Sequence, residues 1–404
     1  MGITMGKIAL AIFCVFALTA PLAIGQDSGL FPIQVGDRFG YVDRTGELVV
    51  EPEFDFAFDF KEGLALVNVG GQRNKYGFVI GGKWGFVDPS GKVAINLLYD
   101  DAKDFSGGLA LVNTGGVRNE LGLLGGGKRG YLDRTGRMII DPLYADAKSF
   151  CDGLALVRLG DVYGYIDKLG NQVIDLRYAD AKSFSEGLAA VAQNGSWGYI
   201  DTAGARAIEA KYGFAASFSE GAAMVKLGDK YIYIDKTGQA ITNLYFEDGS
   251  SFHDGMAAVR LGGKWGFIDR RGELAVPPQF DMASDYSEGL ACVRVSGKRG
   301  YVDKTGRMVI VPRYDGAMDY HQGLALVNAG GKLNENGIVA GGKWGYINKA
   351  GKRAIPPAYD HAWDFKGGLA LFNQGGTMDQ YGNVSGGRWG YIDKRGRTVY
   401  LAKE

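Results

Sequence analysis

The chain has 404 residues, of which 65 are glycine and 10 are proline, and its 45 basic side chains balance its 45 acidic ones. Hydrophobic residues at 46% and aromatic residues at 12% exclude a disordered chain, and the balanced charge gives no electrostatic footprint for nucleic acid. The composition therefore indicates a packed, turn-rich protein.

The first element in chain order is an apolar N-terminal segment. Residues 8–18 are uniformly apolar, and such a run is too short to span a bilayer comfortably. Small residues at Ala23 and Gly25 favour a signal peptide over residues 1–25 with cleavage before Gln26; an earlier cleavage point and an uncleaved anchor are the alternatives. The sequence therefore predicts an exported protein, periplasmic, cell-surface or secreted, with no transmembrane segment after signal removal.

After this segment the chain repeats one unit ten times. The residues at the centre of the repeated segment are 34 apart, and they are 45 apart where a unit carries an insertion of 11 residues. Such a period indicates a repeat architecture in which each unit packs against its neighbours. We therefore predict a single array over residues 26–404. Its units begin near residues 29, 63, 108, 153, 187, 221, 255, 289, 323 and 368.

Each unit predicts a three-stranded antiparallel meander. A first strand has the form GLALV, as at residues 63–67, and the second ends in D-x-x-G, as at residues 133–136, where Asp and Gly favour a hairpin turn. A short aliphatic third strand follows, as at residues 138–140. A connector such as residues 178–187 has two aromatic residues and an alanine at spacings of three, which favours a turn-like segment anchored by packing.

The predicted fold class is all-β, a tandem array of ten three-stranded β-meanders. Propellers usually have about four to eight blades of four strands each. Ten units of three strands therefore favour an open curved solenoid over a closed propeller-like ring.

The second strands have sequences such as KWGFVDPSG at residues 83–91 and KWGFIDRRG at residues 264–272, followed by Y-D-x-A-x-x-F-x-x-G-L-A-like segments. These units resemble the WG-repeat (KWG-repeat) family of bacterial proteins over essentially the whole chain after the signal. The resemblance implies a repeat array of unassigned role, and many such proteins are exported. A fainter similarity links the units to choline-type cell-wall-binding repeats, but glycine replaces the second aromatic residue that a quaternary-ammonium cage needs.

Candidates for catalysis and metal binding are few. The histidines His253, His321 and His361 lie in connectors and are interpreted as surface turn residues, because no histidine or cysteine has metal-ligand spacing. Cys151 and Cys292 are interpreted as small buried hydrophobic residues. The aspartate that ends the second strand recurs in nine units, so acceptance of backbone N–H bonds in a turn explains it. The sequence therefore predicts no catalytic residue, no metal site, no cofactor and no enzymatic activity.

One repeated position is the first candidate for ligand binding. The residue before the central glycine is aromatic in some units and arginine in others, and arginine cannot replace tryptophan in a dry core without a partner for its charge. The position is therefore predicted to be half exposed, with flat side chains that stack on sugar rings or protein side chains. The alternative is packing against neighbouring hairpins. The candidate ligand-binding residues are Trp84, Arg129, Trp197, Trp265, Arg299, Trp344 and Trp389.

The four 11-residue insertions are the second candidate. They produce matching glycine-rich loops, predicted to be protruding β-hairpins, at residues 68–82, 113–127, 328–342 and 373–387. Insertions in repeat arrays map to one face, which is often the binding face, although a duplicated structural hairpin explains them equally well.

Together these features predict an exported, non-enzymatic repeat protein that acts as a binding or interaction module. Its predicted partner is a cell-envelope polysaccharide or another protein, and nucleic acid is not expected because no basic block is present. The alternatives are a structural spacer that binds no ligand, and a hydrolase whose carboxylates the repeats do not distinguish.

Overall fold

Ten β-sheets arranged in a closed ring make up the structure, a computed structural model that describes residues 28–403. Each sheet is one blade of a β-propeller, and its antiparallel strands are labelled A to D in chain order. Strand A is the connector of the sequence analysis, strand B the GLALV strand, strand C the WG strand and strand D the short aliphatic strand. The predicted signal peptide at residues 1–25 lies outside the described residues.

Blades 1 to 5 come from the first half of the chain. Blade 1 contains β1 (Phe31–Val35), β2 (Arg38–Val42) and β3 (Leu48–Phe54); blade 2 contains β4 (Phe56–Lys61), β5 (Leu64–Arg73), β6 (Val79–Val87) and β7 (Val93–Tyr99); blade 3 contains β8 (Asp101–Ala102), β9 (Leu109–Arg118), β10 (Leu124–Asp133) and β11 (Met138–Tyr144); blade 4 contains β12 (Asp146–Ala147), β13 (Ala155–Leu159), β14 (Val162–Ile166) and β15 (Gln172–Tyr178); blade 5 contains β16 (Asp180–Ala181), β17 (Leu188–Gln193), β18 (Ser196–Asp201) and β19 (Arg206–Tyr212).

Blades 6 to 10 follow in order, and blades 9 and 10 each carry an added two-stranded ribbon. Blade 6 contains β20 (Phe214–Ala215), β21 (Ala222–Leu227) and β22 (Lys230–Asp235); blade 7 contains β23 (Asp248–Gly249), β24 (Met256–Leu261), β25 (Lys264–Asp269) and β26 (Leu274–Phe280); blade 8 contains β27 (Met282–Ser287), β28 (Leu290–Val295), β29 (Lys298–Asp303) and β30 (Met308–Tyr314); blade 9 contains β31 (Gly316–His321), β32 (Leu324–Ala329), β35 (Lys343–Asn348) and β36 (Arg353–Tyr359), with the ribbon β33 (Lys332–Leu333) and β34 (Val339–Ala340); blade 10 contains β37 (His361–Ala362), β38 (Leu369–Gln374), β41 (Arg388–Asp393) and β42 (Thr398–Leu401), with the ribbon β39 (Thr377–Met378) and β40 (Val384–Ser385).

Most blades have a fourth strand that the sequence analysis did not predict. The connector forms strand A and pairs with strand B, as Asp180 pairs with Ala192 and Ala181 with Val191. The prediction of three-stranded meanders was wrong because strand B has an edge whose backbone groups need partners, and even a two-residue strand supplies them. Within residues 28–403, blades 1 and 6 have three strands each.

The central glycine of strand C is required because strand D bulges against it. In blade 5 the pairing of strands C and D shifts register beside Gly198. A Cβ at Gly198 would lie 2.6 Å from the carbonyl oxygen of Ile208, which leaves no room for a side chain. Blade 6 has Ile232 at this position, and there isolated bridges to Ala240 and Phe246 replace a regular strand D.

Strand A lies on the inner side of the ring, where neighbouring blades approach most closely. Ser185 Oγ donates a hydrogen bond to the carbonyl of Phe218 in the next strand A, and Ser219 Oγ donates to that of Phe252, both at 2.7 Å. Because the strands are antiparallel, the A–B and C–D turns share one face of the ring, which we call face 1. The B–C turns and the D–A connections share the opposite face, face 2.

Neighbouring blades share apolar cores and a repeated hydrogen bond. Between blades 5 and 6, Leu188, Tyr199 and Ile208 pack with Ala223 and Val225. A strand C tyrosine also donates its hydroxyl to a strand A carbonyl of the next blade at 2.6–2.8 Å, which fixes the two sheets relative to one another. The donors of this bond are Tyr41, Tyr131, Tyr165, Tyr199, Tyr233, Tyr301 and Tyr346.

Face 1 adds polar links between the blades. Glu186, in the A–B turn of blade 5, has a left-handed backbone with φ of 56°. Its Oε2 accepts a hydrogen bond from the Gly221 amide of blade 6 at 3.0 Å and lies 3.2 Å from Lys236 Nζ. Asp254 repeats the contact with the Gly289 amide at 2.5 Å. These turns therefore connect successive units rather than only reversing the chain.

The ring closes between blade 10 and blade 1. The Tyr391 hydroxyl donates to the Pro32 carbonyl at 2.8 Å, and its ring lies 5.5 Å from that of Phe31. Ile33 and Leu369 are buried in the same cluster. The prediction of an open solenoid was wrong because an open array would leave these end faces in water, whereas closure buries them against each other. No strand is exchanged between the two blades, so side-chain packing and polar contacts such as the Tyr391–Pro32 hydrogen bond close the ring.

Candidate binding surface

The four insertions form long B–C hairpins on face 2, and each has a buried asparagine at its base. In blade 9, Asn328 is fully buried; its Nδ2 donates to the Gly341 carbonyl at 3.1 Å and its Oδ1 accepts from the Gly331 amide at 3.0 Å. A Cβ at Gly342 would lie 2.4 Å from the Gly331 nitrogen, so the tight base requires glycine. The equivalent buried asparagines are Asn68, Asn113 and Asn373.

An aspartate in the D–A connection also anchors the hairpin base. Asp100 accepts hydrogen bonds from Lys83 Nζ of blade 2 and from the Gly115 amide of the blade 3 hairpin, both at 2.6 Å. Burial raises the pKa of Asp100, but these hydrogen bonds outweigh it and the net pKa lies below its usual value. The carboxylate therefore stays ionised and links two blades at the point where the hairpin leaves the ring.

The four hairpins contact one another in the ring order of blades 9, 10, 2 and 3. Asn334 Nδ2 of blade 9 donates to the Gln380 carbonyl of blade 10 at 3.1 Å, and Asn74 Nδ2 of blade 2 donates to the Glu120 carbonyl of blade 3 at 2.7 Å. Between the two pairs, the rings of Tyr76 and Tyr381 lie 4.9 Å apart, edge to face. We call residues 68–82, 113–127, 328–342 and 373–387 the hairpin crown.

The crown is continuous only because the ring is closed. Asn383 Nδ2 of blade 10 donates to the Lys75 carbonyl of blade 2 at 2.9 Å, a contact between residues 308 positions apart. This contact spans blade 1, whose own B–C turn is short. Sequence reasoning found the four insertions but not their union, because no local pattern reports that the two ends of the chain meet.

The blade 3 end of the crown is its most exposed apolar part. Val117, Leu121 and Leu123 have 74%, 54% and 63% of their surface accessible. Blade 4, the next blade, has a short B–C turn, so no further hairpin covers this end. Contiguous exposed apolar side chains on a folded protein are typical of an interaction site.

A basic groove lies between the blade 3 hairpin and strand A of blade 4. It consists of two adjoining cavities of about 280 and 500 Å³ that share Leu124, Arg129, Asp146 and Lys148 in their lining. Three consecutive glycines, at residues 125–127, line one side and leave it open. Five cationic and two acidic side chains line the groove, an excess of three positive charges. They are Lys103, Arg118, Arg129, Lys148, Arg158, Asp101 and Asp146.

Ion pairs within the groove hold its cations in place without neutralising them all. Arg118 pairs with Asp101 at 2.6 Å, and Arg129 and Lys148 share Asp146 at 3.4 and 3.3 Å. The Arg129 side chain is only 14% exposed and also donates to a backbone carbonyl of blade 4.

Arg158 completes the groove from strand B of blade 4. Its guanidinium donates to the Gly160 carbonyl at 3.1 Å and lies 5.9 Å from the Tyr163 ring centroid. Its Nε is buried and makes no hydrogen bond to the described residues. One N–H of this cation is therefore left without an acceptor.

The seven predicted ligand-binding residues differ in burial. Trp84 and Trp344 are buried, while Trp197, Trp265, Trp389, Arg129 and Arg299 are half-buried. Of these, Arg129 lines the groove.

Where these residues contact strand A, the tryptophans contact strand A of their own blade and the arginines bond to strand A of the next blade. Trp84 packs on Phe58 with ring centroids 5.8 Å apart, and Arg299 donates to the Ala317 carbonyl at 2.8 Å. Lys182 Nζ lies 5.8 Å from the Trp197 ring centroid, and burial lowers the pKa of this lysine. The interchange of Trp and Arg is thus explained by a backbone carbonyl that supplies the partner for the arginine charge.

Two histidines on strand A pair with carboxylates of the following blade. His253 Nδ1 lies 3.2 Å from Asp285, and His321 Nε2 lies 3.7 Å from Asp364. Burial raises the pKa of Asp364 to about 6, with a lesser contribution from Asp319, while His321 acts in the opposite direction. These pairs lie on the inner side of the ring, a position that the sequence did not predict.

The third histidine was misinterpreted as a surface turn residue. His361 is buried in β37, with Nε2 3.3 Å from the Gly376 carbonyl at the base of a crown hairpin. Burial lowers the pKa of His361, so the ring stays neutral near pH 7. It serves the hairpin base through packing and one polar contact.

The aspartates of the C–D turns have the role predicted for them. Asp133 Oδ1 accepts from the Thr135 hydroxyl at 2.6 Å and from the Thr135 and Arg137 amides at 2.9 and 3.1 Å. The Thr135 hydroxyl makes the largest contribution to lowering the pKa of Asp133. Cys292 is buried, as expected, and Cys151 is half-buried; neither forms a disulfide.

Within residues 28–403 there is no cluster of three or more His, Cys, Asp or Glu side chains arranged to hold a metal ion. The same residues include no helix with the length and apolar character needed to cross a membrane.

Comparison with known families identifies the repeated unit. The family described as "WG containing repeat" matches nine tandem segments, which together cover most of the chain. No curated protein matches this chain. A β-propeller of tandem repeats is an architecture that serves as a binding or interaction module. The matched segments are residues 39–72, 84–117, 130–163, 163–197, 197–231, 233–265, 265–298, 300–332 and 344–377.

Three solved structures align with the chain at low sequence identity. A "Crystal structure of the eukaryotic initiation factor" aligns at 11% identity with a TM-score of 0.51, covering 92% of this chain and 94% of that one. BamB from Moraxella catarrhalis aligns at 13% identity and a TM-score of 0.36, covering 78% and 95%. AztD from Citrobacter koseri aligns at 14% identity and 0.32, covering 68% and 91%. The first likeness concerns the fold alone.

Proposed function

The chain belongs to the WG-repeat family, and we propose that it is an exported, non-enzymatic binding protein whose hairpin crown holds a protein partner in the cell envelope. The observation that carries the proposal is the crown itself: four hairpins from the two ends of the chain meet as one surface on face 2. Function in such scaffolds resides in loops held by a rigid frame.

A protein partner is favoured by the chemistry of the crown. Val117, Leu121 and Leu123 present exposed aliphatic side chains, which suit another protein surface better than a hydroxyl-rich sugar. Trp84 and Trp344, the tryptophans of blades 2 and 9 that would stack on a glycan, are buried between blades.

The absence of enzymatic activity is part of the proposal. The turn aspartates accept backbone N–H bonds, as Asp133 does, and Asp285 and Asp364 of strand A lie beside histidines. A glycosidase needs two carboxylates in opposed roles, and the turn aspartates are committed to structural contacts.

Export is supported by residues 1–25 of the sequence, which lie outside the described residues. Mass measurement of the mature protein is the direct test. A species that begins at Gln26 fits a cleaved signal peptide, and a species that keeps Met1 contradicts cleavage.

Capture of envelope proteins tests the function. The mature protein is immobilised and exposed to solubilised envelope extract of its producing cell, before and after protease digestion of the extract. We expect a defined set of proteins to be retained, and the variant Val117→Ser/Leu121→Ser/Leu123→Ser to lose it. The matched control is Leu143→Ser/Val311→Ser, because these residues are 57% and 61% exposed but lie in strand D, outside the crown.

A cell-envelope glycan is the second candidate, favoured by one observation. Trp363 and Trp389 of blade 10 lie 5.2 Å apart, and Trp363 is 37% exposed, so an aromatic surface is accessible to a sugar ring. Retention that survives protease digestion and is lost in Trp363→Ala would favour this candidate over a protein partner.

A further inference from the structure

The basic groove arises where the crown ends. The blade 3 hairpin has a neighbouring hairpin on blade 2 but none on blade 4, whose strands B and C are joined by a short turn after Leu159. The space that a fifth hairpin, on blade 4, would fill is therefore open. Leu124 and the glycines at residues 125–127 border it on one side, and Asp146 and Lys148 border it on the other.

The charge of the groove is specific to this blade interface. Strand A has a lysine at the same repeat position in blades 3 and 4, Lys103 and Lys148, whereas blade 9, at the other end of the crown, has Met318. Arg158 adds a cation from strand B, where blade 3 has the buried Asn113. Neutral residues therefore occupy the Lys148 and Arg158 positions in other blades of the ring.

The donors suit planar carboxylates. Arg129 is held by Asp146 and by a backbone carbonyl, so its orientation is fixed before a ligand arrives. Arg158 has a buried Nε without an acceptor, and Lys148 is 54% exposed beside Asp146. Guanidinium groups bind carboxylates through paired N–H donors, and preorganised donors lose little entropy on binding.

We infer that the basic groove binds the carboxylates of an acidic, extended segment of a protein partner, with Arg129, Lys148 and Arg158 as the anchoring cations. The excess of three positive charges calls for several carboxylates rather than one, and the adjoining cavities of about 280 and 500 Å³ accept a short stretch of chain. The inference rests on the proposed function, since it assigns a charge preference to the partner that the crown holds.

Fluorescence anisotropy with a labelled glutamate hexapeptide tests the inference on the mature protein. We expect binding that weakens as salt is raised, because exposed charges are screened. The variant Lys148→Ala/Arg158→Ala should weaken binding about tenfold or more. The matched control Arg294→Ala, which changes the same repeat position as Arg158 but in blade 8, should leave affinity unchanged within about twofold.

Further arms separate the ligand sources and guard against misfolding. The variant Lys148→Arg, which keeps the positive charge, should bind the hexapeptide as the parent does. Unchanged thermal unfolding of each variant shows that affinity was lost at the groove. Oligogalacturonate of equal charge should bind more weakly than the hexapeptide, and inorganic phosphate should not displace it. Tighter binding of oligogalacturonate would identify an acidic glycan instead and overturn the inference, as would displacement by phosphate or an equal loss in Arg294→Ala.

The two sets of variants distinguish failure of this inference from failure of the proposed function. If the envelope proteins are lost by the Val117→Ser/Leu121→Ser/Leu123→Ser variant but kept by Lys148→Ala/Arg158→Ala, the crown is a binding surface and the groove is not its anion site. If both variants lose them, and added hexapeptide competes with them, both proposals hold.

Discussion

The two halves of the ring share one frame and differ on face 2. Blades 4 to 8 have short B–C turns, whereas blades 9, 10, 2 and 3, with blade 1 between them, carry the crown. The frame is common to both: the strand C tyrosine bonds the next blade from Tyr165 in one half and from Tyr346 in the other. The insertions therefore alter one face of the ring and leave the packing between blades unchanged.

The crown-bearing half also contains the point where the ring closes. Blades 10 and 1 exchange no strand, and the hairpins of blades 10 and 2 meet above blade 1 through Tyr76 and Tyr381. Lys366 of blade 10 forms an ion pair with Asp59 of blade 2 across the same blade. The half that carries the candidate binding surface is therefore also the half that holds the two chain ends together.

Deleting one unit of the short-turn half should have the largest effect. Removal of residues 187–220 joins Glu186 to Gly221 in phase but leaves nine units to cover the circumference of ten. Because every interface depends on closure, we expect loss of most of the free energy of unfolding, about 5 kcal/mol or more, as measured by urea denaturation. A deletion variant as stable as the parent would contradict the closed ring.

Removing a tyrosine hydroxyl compares the closure with an ordinary interface. Tyr391→Phe at the closure and Tyr165→Phe in the short-turn half should each cost about 1 kcal/mol, because each leaves a carbonyl without its donor. Phenylalanine fits the site, since Phe86 and Phe267 occupy it in blades 2 and 7. An effect for Tyr165→Phe and none for Tyr391→Phe would mean that the closure is open in solution.

Loss of the crown contact across blade 1 should have a similar or smaller effect. Tyr76→Ser removes an edge-to-face ring pair and should lower stability by about 0.5–1.5 kcal/mol. Leu121→Ser, on a crown hairpin but 54% exposed, is the control and should leave the thermal midpoint unchanged. Equal midpoints for both variants would show that the crown contributes nothing to closure.

The smallest expected difference between the two halves of the ring is in the pH dependence of stability. Asp364 of blade 10 has a folded-state pKa near 6, above its unfolded value, whereas blade 5 has Ser183 at this position. The folded protein therefore keeps a proton that the unfolded chain releases, so this group lowers stability as pH rises from about 4 to about 6. Asp364→Asn should remove that slope; thermal unfolding at pH 4 and pH 7 measures it.

A parent-like slope in Asp364→Asn would contradict the assignment. The matched substitution Ser183→Asn, at the same strand A position in blade 5, should leave the slope intact and serves as the control. The effect is expected to be small because the Asp364 side chain is 40% exposed and solvent screens its charge.

The sequence by itself determined the number of units, the strands B to D, the turn aspartates and the positions of the long hairpins. Each of these is written in a local pattern that recurs: GLALV for a buried strand, D-x-x-G for a turn that Asp133 caps, and N-x-G-G for a hairpin base that Asn328 holds. The sequence also explains why blade 6 has no regular strand D, since Ile232 is larger than glycine and cannot face the strand D bulge.

Strand A, the closure and the crown were decided only by tertiary structure. A two-residue strand such as Asp180–Ala181 has no periodicity of its own and exists because strand B offers an unpaired edge. Closure depends on small angles between sheets added over ten interfaces, which no single unit encodes. The crown, in turn, joins Lys75 to Asn383, and such a contact forms only after the ring has brought residues 308 positions apart to the same place.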